Sequence, residues 1–176
     1  MIPAPRDPAA PVGELVAELA GHLGEPAVVA LACDLLGGAD RATYADELVY
    51  LTRLADTAGH PEEWSRVWGA RTLLYAWDEG AVPVVVAGLG DEAWRVAEMC
   101  LKVATRHEVA EATEGAVSLA GHGLSRVRGH ALRLLGVAGD TEHVATVRKA
   151  LSDPDEDVRR HAARALDRLE QRLDLV

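Results

Sequence analysis

An all-α solenoid of about five helical hairpins is what this 176-residue sequence predicts, and three observations carry that prediction. Apolar residues recur at spacings of three and four. Breakers and caps cut the chain into helix-sized pieces. The chain also resembles itself at an offset of 31 residues.

The punctuation falls at Gly24-Glu25-Pro26, His60-Pro61-Glu62-Glu63, Gly90-Asp91-Glu92 and Asp153-Pro154-Asp155-Glu156. Each places a breaker or cap before a helical run, with acids in the first turn, where the helix dipole favours them. Pro61 fits a first helical position. About ten helices follow. The run Val82-Pro83-Val84-Val85-Val86 has strand propensity, but it is short and Pro83 suits a helix start, so it is read as helix. Residues 1–11 hold four prolines and no apolar core of a signal peptide, and are expected to form a flexible tail before a domain spanning 12–176.

The self-similarity is clearest between Val127-Arg128-Gly129-His130-Ala131-Leu132-Arg133-Leu134-Leu135 and Val158-Arg159-Arg160-His161-Ala162-Ala163-Arg164-Ala165-Leu166. Two further steps of 31 reach Val96 and Ser65. With the first residue of each copy as offset zero, offset four reads Gly69, Cys100, Ala131 and Ala162, all small. Offset eight reads Leu73, Ala104, Leu135 and Leu166, all apolar. These offsets share one arc of a helix, and the small residues allow neighbouring helices to approach closely. A weaker fifth copy begins at Val28, with Ala32 and Leu36 in the same roles and Gly37-Gly38-Ala39-Asp40-Arg41 as an inserted loop. In such a stack no hairpin buries its core alone.

On these residues the chain resembles the HEAT-repeat family, in the short form also found in phycobiliprotein lyases. Asp153-Pro154-Asp155-Glu156-Asp157-Val158-Arg159 with Ala162 and Ala165-Leu166 follows the family pattern most closely. Ser65 and Ala97 depart from it in the earlier copies. The resemblance implies an armadillo-like superhelix that binds proteins along its concave side, which the second helix of each hairpin lines.

Offset six points away from the buried arc and reads Arg71, Lys102, Arg133 and Arg164, one cation in each of four copies, whereas the fifth copy has Asp34 there and ends the row. Rungs of such a ladder stand roughly 10 Å apart. Arg106 and Arg168 at offset ten, and Arg160 at offset two, extend the row. Trp68, Met99, His130 and His161 at offset three flank it. The row has two readings, a solvated helix face or a groove for an acidic ligand. Arg66, Arg128 and Arg159 at offset one are read as structural, pairing with turn acids such as Asp157, as the resemblance implies. Trp64, Trp68, Trp77 and Trp94 are read as core filling.

Charge narrows the function classes. The net charge is −10, against a surface that seeks nucleic acid as a whole. Residues 1–121 carry 8 Lys+Arg and 19 Asp+Glu, whereas residues 122–176 carry 10 and 9, so the C-terminal third is locally basic. Cys33 and Cys100 lie in apolar patterns with no paired spacing, which suits buried thiols in a reducing cytoplasm. No phosphate loop, nucleophile elbow or zinc spacing occurs. His107-Glu108 is a single pair, too few for the di-iron centre of HEAT-like hydroxylases. Lyase activity is harder to separate from the repeats themselves, but no segment beyond them is available to catalyse.

The expectation is therefore a cytoplasmic, non-catalytic protein-interaction scaffold without cofactor or metal. Its concave, locally basic face would meet an acidic peptide or protein. The alternative is a nucleic-acid-binding protein using the same row, with a groove like that of HEAT-like DNA glycosylases. No membrane partner is expected, and the C-terminal stretch Leu173-Asp174-Leu175-Val176 is a candidate docking edge for a second copy.

Overall fold

The computed structural model describes residues 2–54, 56–57 and 59–174. The described residues form ten α-helices: α1 Val12–Leu23, α2 Glu25–Leu36, α3 Ala45–Thr52, α4 Glu63–Thr72, α5 Val82–Gly88, α6 Trp94–Arg106, α7 Thr113–Leu119, α8 Ser125–Ala138, α9 Val144–Lys149 and α10 Glu156–Arg172. Short 3₁₀ turns precede α3, α5, α7 and α9. In chain order the helices make five pairs, the arrangement of an α-solenoid.

Two compact units divide the chain, Met1–Gly88 and Leu89–Val176. In the first, α1 packs on α2 and α3, and α2 packs along α4. In the second, α6 lies against α8 and α8 against α10, with α7 covering α8 and α9 covering α10. The helices in register with the repeat, α6, α8 and α10, thus form one layer of the second unit. Their offset-four residues Cys100, Ala131 and Ala162 are fully buried.

Small residues set the spacing. A Cβ on Gly69 would lie 2.6 Å from the Ala32 carbonyl oxygen and 2.7 Å from the Leu36 nitrogen, so α4 reaches the backbone of α2 at this point. In the second unit, a Cβ on Gly136 would stand 2.8 Å from Ala165 Cα, and one on Gly129 would stand 2.8 Å from His161 Cδ2. The repeats therefore touch backbone to backbone, where most side chains would hold them apart.

The turns repeat as closely as the helices. Asp91 accepts the Ala93 N–H at 2.8 Å, and Asp153 accepts the Asp155 N–H at 2.9 Å. Between them in register, His122 Nδ1 accepts the Leu124 N–H at 3.0 Å. An imidazole nitrogen here replaces a carboxylate as turn acceptor. Asp155 then caps α10 by accepting from the Asp157 and Val158 N–H groups.

Local expectations hold at most punctuation marks. Val82-Pro83-Val84-Val85-Val86 is helical, with Pro83 in the first turn of α5. Pro61 precedes α4 by two residues, in a turn whose carbonyl accepts from Trp64. In the N-terminal segment, expected as a tail, Pro5 is buried, Tyr50 Oη donates to the Pro3 carbonyl at 2.9 Å and the Arg6 N–H donates to Glu18 at 3.1 Å. Cys100 is fully buried, and burial pushes its thiol up to about 12; Cys33 is only partly covered. No single described helix is long and apolar enough to cross a membrane. Of the proposed docking edge, Leu175 and Val176 lie outside the described residues.

Two helical glycines give opposite predictions. Gly69→Ala should destabilise the protein, because overpacking against backbone costs about 1–3 kcal/mol while helix propensity returns only about 1 kcal/mol. Gly21→Ala, with nothing within 4 Å of the added Cβ, should stabilise it. Urea unfolding midpoints measure both; equal shifts would remove close approach as the reason for Gly69.

Candidate partner-binding face

The anticipated row of cations is broken by its environment. Arg71 is half-buried, and its guanidinium donates to the Leu51 carbonyl near the C-terminal end of α3. Burial lowers its proton affinity, and Nε is buried with no hydrogen-bond partner. It ties α4 to α3 and is not a rung of an open ladder. Trp68 is only 3% exposed, packed edge-on to His60 at 5.5 Å, and cannot meet a partner from offset three. Helix α4 explains both corrections: these residues face α2, α3 and the preceding turn instead of solvent.

Within the second unit the remaining rungs differ from one another. Lys102 Nζ lies 2.7 Å from Glu98 on the same helix. Glu98 is itself 4% exposed and gathers two further groups from α8, Arg126 Nη2 at 2.9 Å and His130 Nε2 at 3.3 Å. Burial opposes the charged form of this carboxyl. The hydrogen bonds from Lys102 and Arg126 outweigh it, so Glu98 titrates below the usual carboxylate range. Arg126 also lies 5.0 Å above the Trp94 ring.

Arg133 and Arg164 are exposed, and no carboxylate among the described residues pairs with them. Arg133 crosses from α8 to α10, where its Nε donates to Nδ1 of the His161 ring at 3.4 Å and its Nη2 lies 3.3 Å from Nε2. Gly129 leaves the space that seats that ring. These residues line a shallow cavity of about 380 Å³ between α8 and α10, together with Ser125, Arg126, His130, Asp155, Asp157 and Arg160. Four of the nominated candidates, Arg133, Arg164, His130 and His161, therefore converge. Arg160 joins them at the rim, held by Asp157 at 3.0 Å and Glu156 at 3.4 Å. Arg106 and Arg168 are exposed outside the cavity, and Met99 is half-buried and not part of its lining.

Both histidines sit in a positive field. Burial, then Lys102, push His130 down to about 4 against the pull of Glu98, with Arg133 and His161 adding to the fall. Burial, then Arg133 and Arg164, lower His161. Both rings are neutral at neutral pH, so the cavity's positive charge comes from its arginines, beside Asp155 and Asp157.

Arg128 is structural, as expected, but through a different acid. It holds Asp153 with two bonds of 2.8 and 2.7 Å, and both side chains are largely buried. Its Nη1 donates to the His122 carbonyl, as Arg159 Nη1 does to the Asp153 carbonyl one repeat later. Asp157 serves Arg160 instead. The preceding repeat has Ala97 where Arg128 stands and His122 where Asp153 stands, so both halves of the clasp are replaced together.

One described group has metal-ligand spacing: Glu114, Glu142 and His143. His143 Nδ1 accepts the Asp140 N–H at 2.8 Å, which leaves the proton on Nε2, the nitrogen facing the carboxylates. Nε2 lies 3.8 Å from Glu142 and has no hydrogen-bond partner among the described residues; carrying the proton, it is not a metal ligand. The residues missed from sequence are Arg126 and Glu98. Glu98 did carry a signal, being an acid at an offset otherwise held by Val67, Gly129 and Arg160.

Two comparisons with known proteins agree with this architecture. Residues 113–175 match the family of HEAT repeats. A solved chain from the complex of CpcE and CpcF of phycocyanin lyase, from Nostoc sp. PCC7120, is similar in structure with a TM-score of 0.59 and 23% identity. The likeness covers 97% of this chain and 69% of that one. No curated protein matches the sequence. At that identity the structural likeness speaks to the fold.

The histidine shift predicts an acid limb in stability. His130 is lowered on folding, so its contribution is present above its unfolded value of about 6.5 and is lost as pH falls toward about 4. Asp153 and Glu98 are also lowered, so their contributions are lost only in the more acid range. His161 is lowered as well and shares this limb. His130→Gln should therefore reduce, without removing, the slope of the melting-temperature curve between about pH 6.5 and 4 and leave the steeper loss below it; an unreduced slope would exclude His130 as a source.

Proposed function

We propose that this chain, whose residues 113–175 are HEAT-repeat sequence, is a non-catalytic interaction module of the cytoplasm. In this reading the α8–α10 face captures an acidic segment of a partner protein. The observation that carries it is the pair Arg133 and Arg164, two exposed guanidinium groups left unpaired by carboxylates beside a cavity. Elsewhere on the same layer, Lys102, Arg126 and Arg160 have acids at 2.7, 2.9 and 3.0 Å. Exposed guanidinium groups with unused donors favour carboxylate and phosphate partners, because their forks match that geometry.

Two further points support a protein partner. HEAT repeats commonly mediate protein interactions, and the similar solved chain comes from a complex of two proteins. The non-catalytic reading draws support from the tautomer of His143 and from the raised proton affinity of the Cys100 and Cys33 thiols, which disfavours the thiolate nucleophile. Nucleic-acid binding through the same face is the second reading. It requires many phosphate contacts, whereas two rungs of the anticipated row, Arg71 and Lys102, are already engaged.

The test is charge reversal combined with salt dependence. Arg133→Glu with Arg164→Glu should abolish capture of an acidic peptide, such as a polyglutamate probe, and leave the melting temperature nearly unchanged. Arg71→Glu should instead lower the melting temperature. Retained peptide capture by the double variant would overturn the proposal. Tighter binding to duplex DNA than to the peptide, with a steep log–log salt slope, would put the second reading in its place.

A further inference from the structure

The α8–α10 cavity also constrains which acid it takes, and the constraint lies in how its charges are already committed. Arg126 is held by Glu98 at 2.9 Å. Asp155 spends its carboxylate on the Asp157 and Val158 N–H groups at the start of α10, at 2.9 and 3.2 Å. Asp157 is occupied by Arg160 at 3.0 Å. What remains is a pair of positive charges, Arg133 from α8 and Arg164 from α10, both acting on the His161 ring between the two helices.

A single carboxylate would satisfy one of these charges. A phosphate monoester carries about −1.5 to −2 at neutral pH and offers three strong acceptor oxygens. Two guanidinium groups can address those oxygens from two directions. Resting on the acidic-partner reading, we propose that the cavity between α8 and α10 is a phosphoryl site, in which Arg133 and Arg164 hold the dianionic phosphate of a phosphorylated side chain on a partner protein.

His161 gives the site a built-in reporter. On α10 it faces Asp157, Arg160 and Arg164; from α8 it faces Arg133, with His130 beyond; the Glu98–Lys102 pair of α6 reaches it only through His130. Burial first, then Arg133 and Arg164, keep the ring neutral. A dianion between Arg133 and Arg164 reverses that field, so phosphate binding raises the proton affinity of His161 and draws a proton onto the ring. Gly129 enforces the geometry: an added Cβ would meet His161 Cδ2 at 2.8 Å and shift the ring from its seat.

The experiment follows the His161 Cε1–H resonance by NMR in the full chain while inorganic phosphate is titrated, with acetate at matched ionic strength as the comparison. The expected result is a saturable shift with phosphate, a rise in the His161 pKa, and little response to acetate. Arg133→Gln and Arg164→Gln should each remove the response, whereas Arg168→Gln, outside the cavity, should retain it; circular dichroism confirms that each variant is folded. Equal response to acetate, or loss of response in Arg168→Gln, overturns the site.

A second arm separates free phosphate from a protein-borne one, using a serine-phosphorylated acidic peptide and its glutamate counterpart. The phosphopeptide should bind at least about tenfold more tightly, a difference of about 1.4 kcal/mol. If the glutamate peptide binds equally well, the phosphoryl proposal falls and the acidic-partner reading stands. If neither peptide binds, both fall. A single-stranded oligonucleotide that matches the phosphopeptide would also overturn the proposal, since its diesters each carry one charge.

Discussion

The close approach of neighbouring helices is the constraint from which the rest of this structure follows. Helix α4 reaches the backbone of α2 at Gly69, and α8 meets α10 where Gly129 and Gly136 face His161 and Ala165. Each hairpin is too small to bury a core of its own, so stability comes from stacking at short distance. That distance also fixes which polar side chains meet. At this spacing Arg133 reaches from α8 to the ring nitrogens of His161 on α10, and Arg128 reaches Asp153 in the next turn. A wider stack would leave these groups in water.

Within the stack, a few acids decide which cations remain available. The 31-residue period places a cation at the same register of α4, α6, α8 and α10, yet the fates of those cations differ. Arg71 satisfies a backbone carbonyl, Lys102 serves Glu98, and Arg133 and Arg164 meet no carboxylate among the described residues. Glu98 has a central part in this sorting. It is nearly buried and survives as an anion because Lys102 and Arg126 hydrogen-bond to it. It concentrates the structural charges on α6 and α8 and leaves the α8–α10 interface positive.

The repeat also shows how a structural unit tolerates substitution. His122 fills the turn-acceptor role of Asp91 and Asp153 through an imidazole nitrogen. Where it does so, the arginine that would clasp an aspartate there is Ala97 instead. The turn geometry is retained and the inter-repeat ion pair is dropped. These two functions of one aspartate are thus separable, the first local and the second dependent on the neighbouring repeat.

The helical class, the pairing of helices and the buried register were legible in the sequence because they are periodic. Apolar spacing of three and four assigns the helices, and a small residue recurring every 31 positions marks the contact face from Gly69 to Ala162. The same periodicity correctly placed Arg133, Arg164, His130 and His161 near one another. It misplaced Arg71 and Trp68, because register specifies a direction on a helix but not what occupies that direction. Glu98 could be seen as an irregular acid, but its three partners come from two helices and depend on the spacing between them. The choice of Asp153 over Asp157 as partner of Arg128 is of the same kind. Such assignments depend on reach across packed elements, and only the tertiary structure supplies that distance.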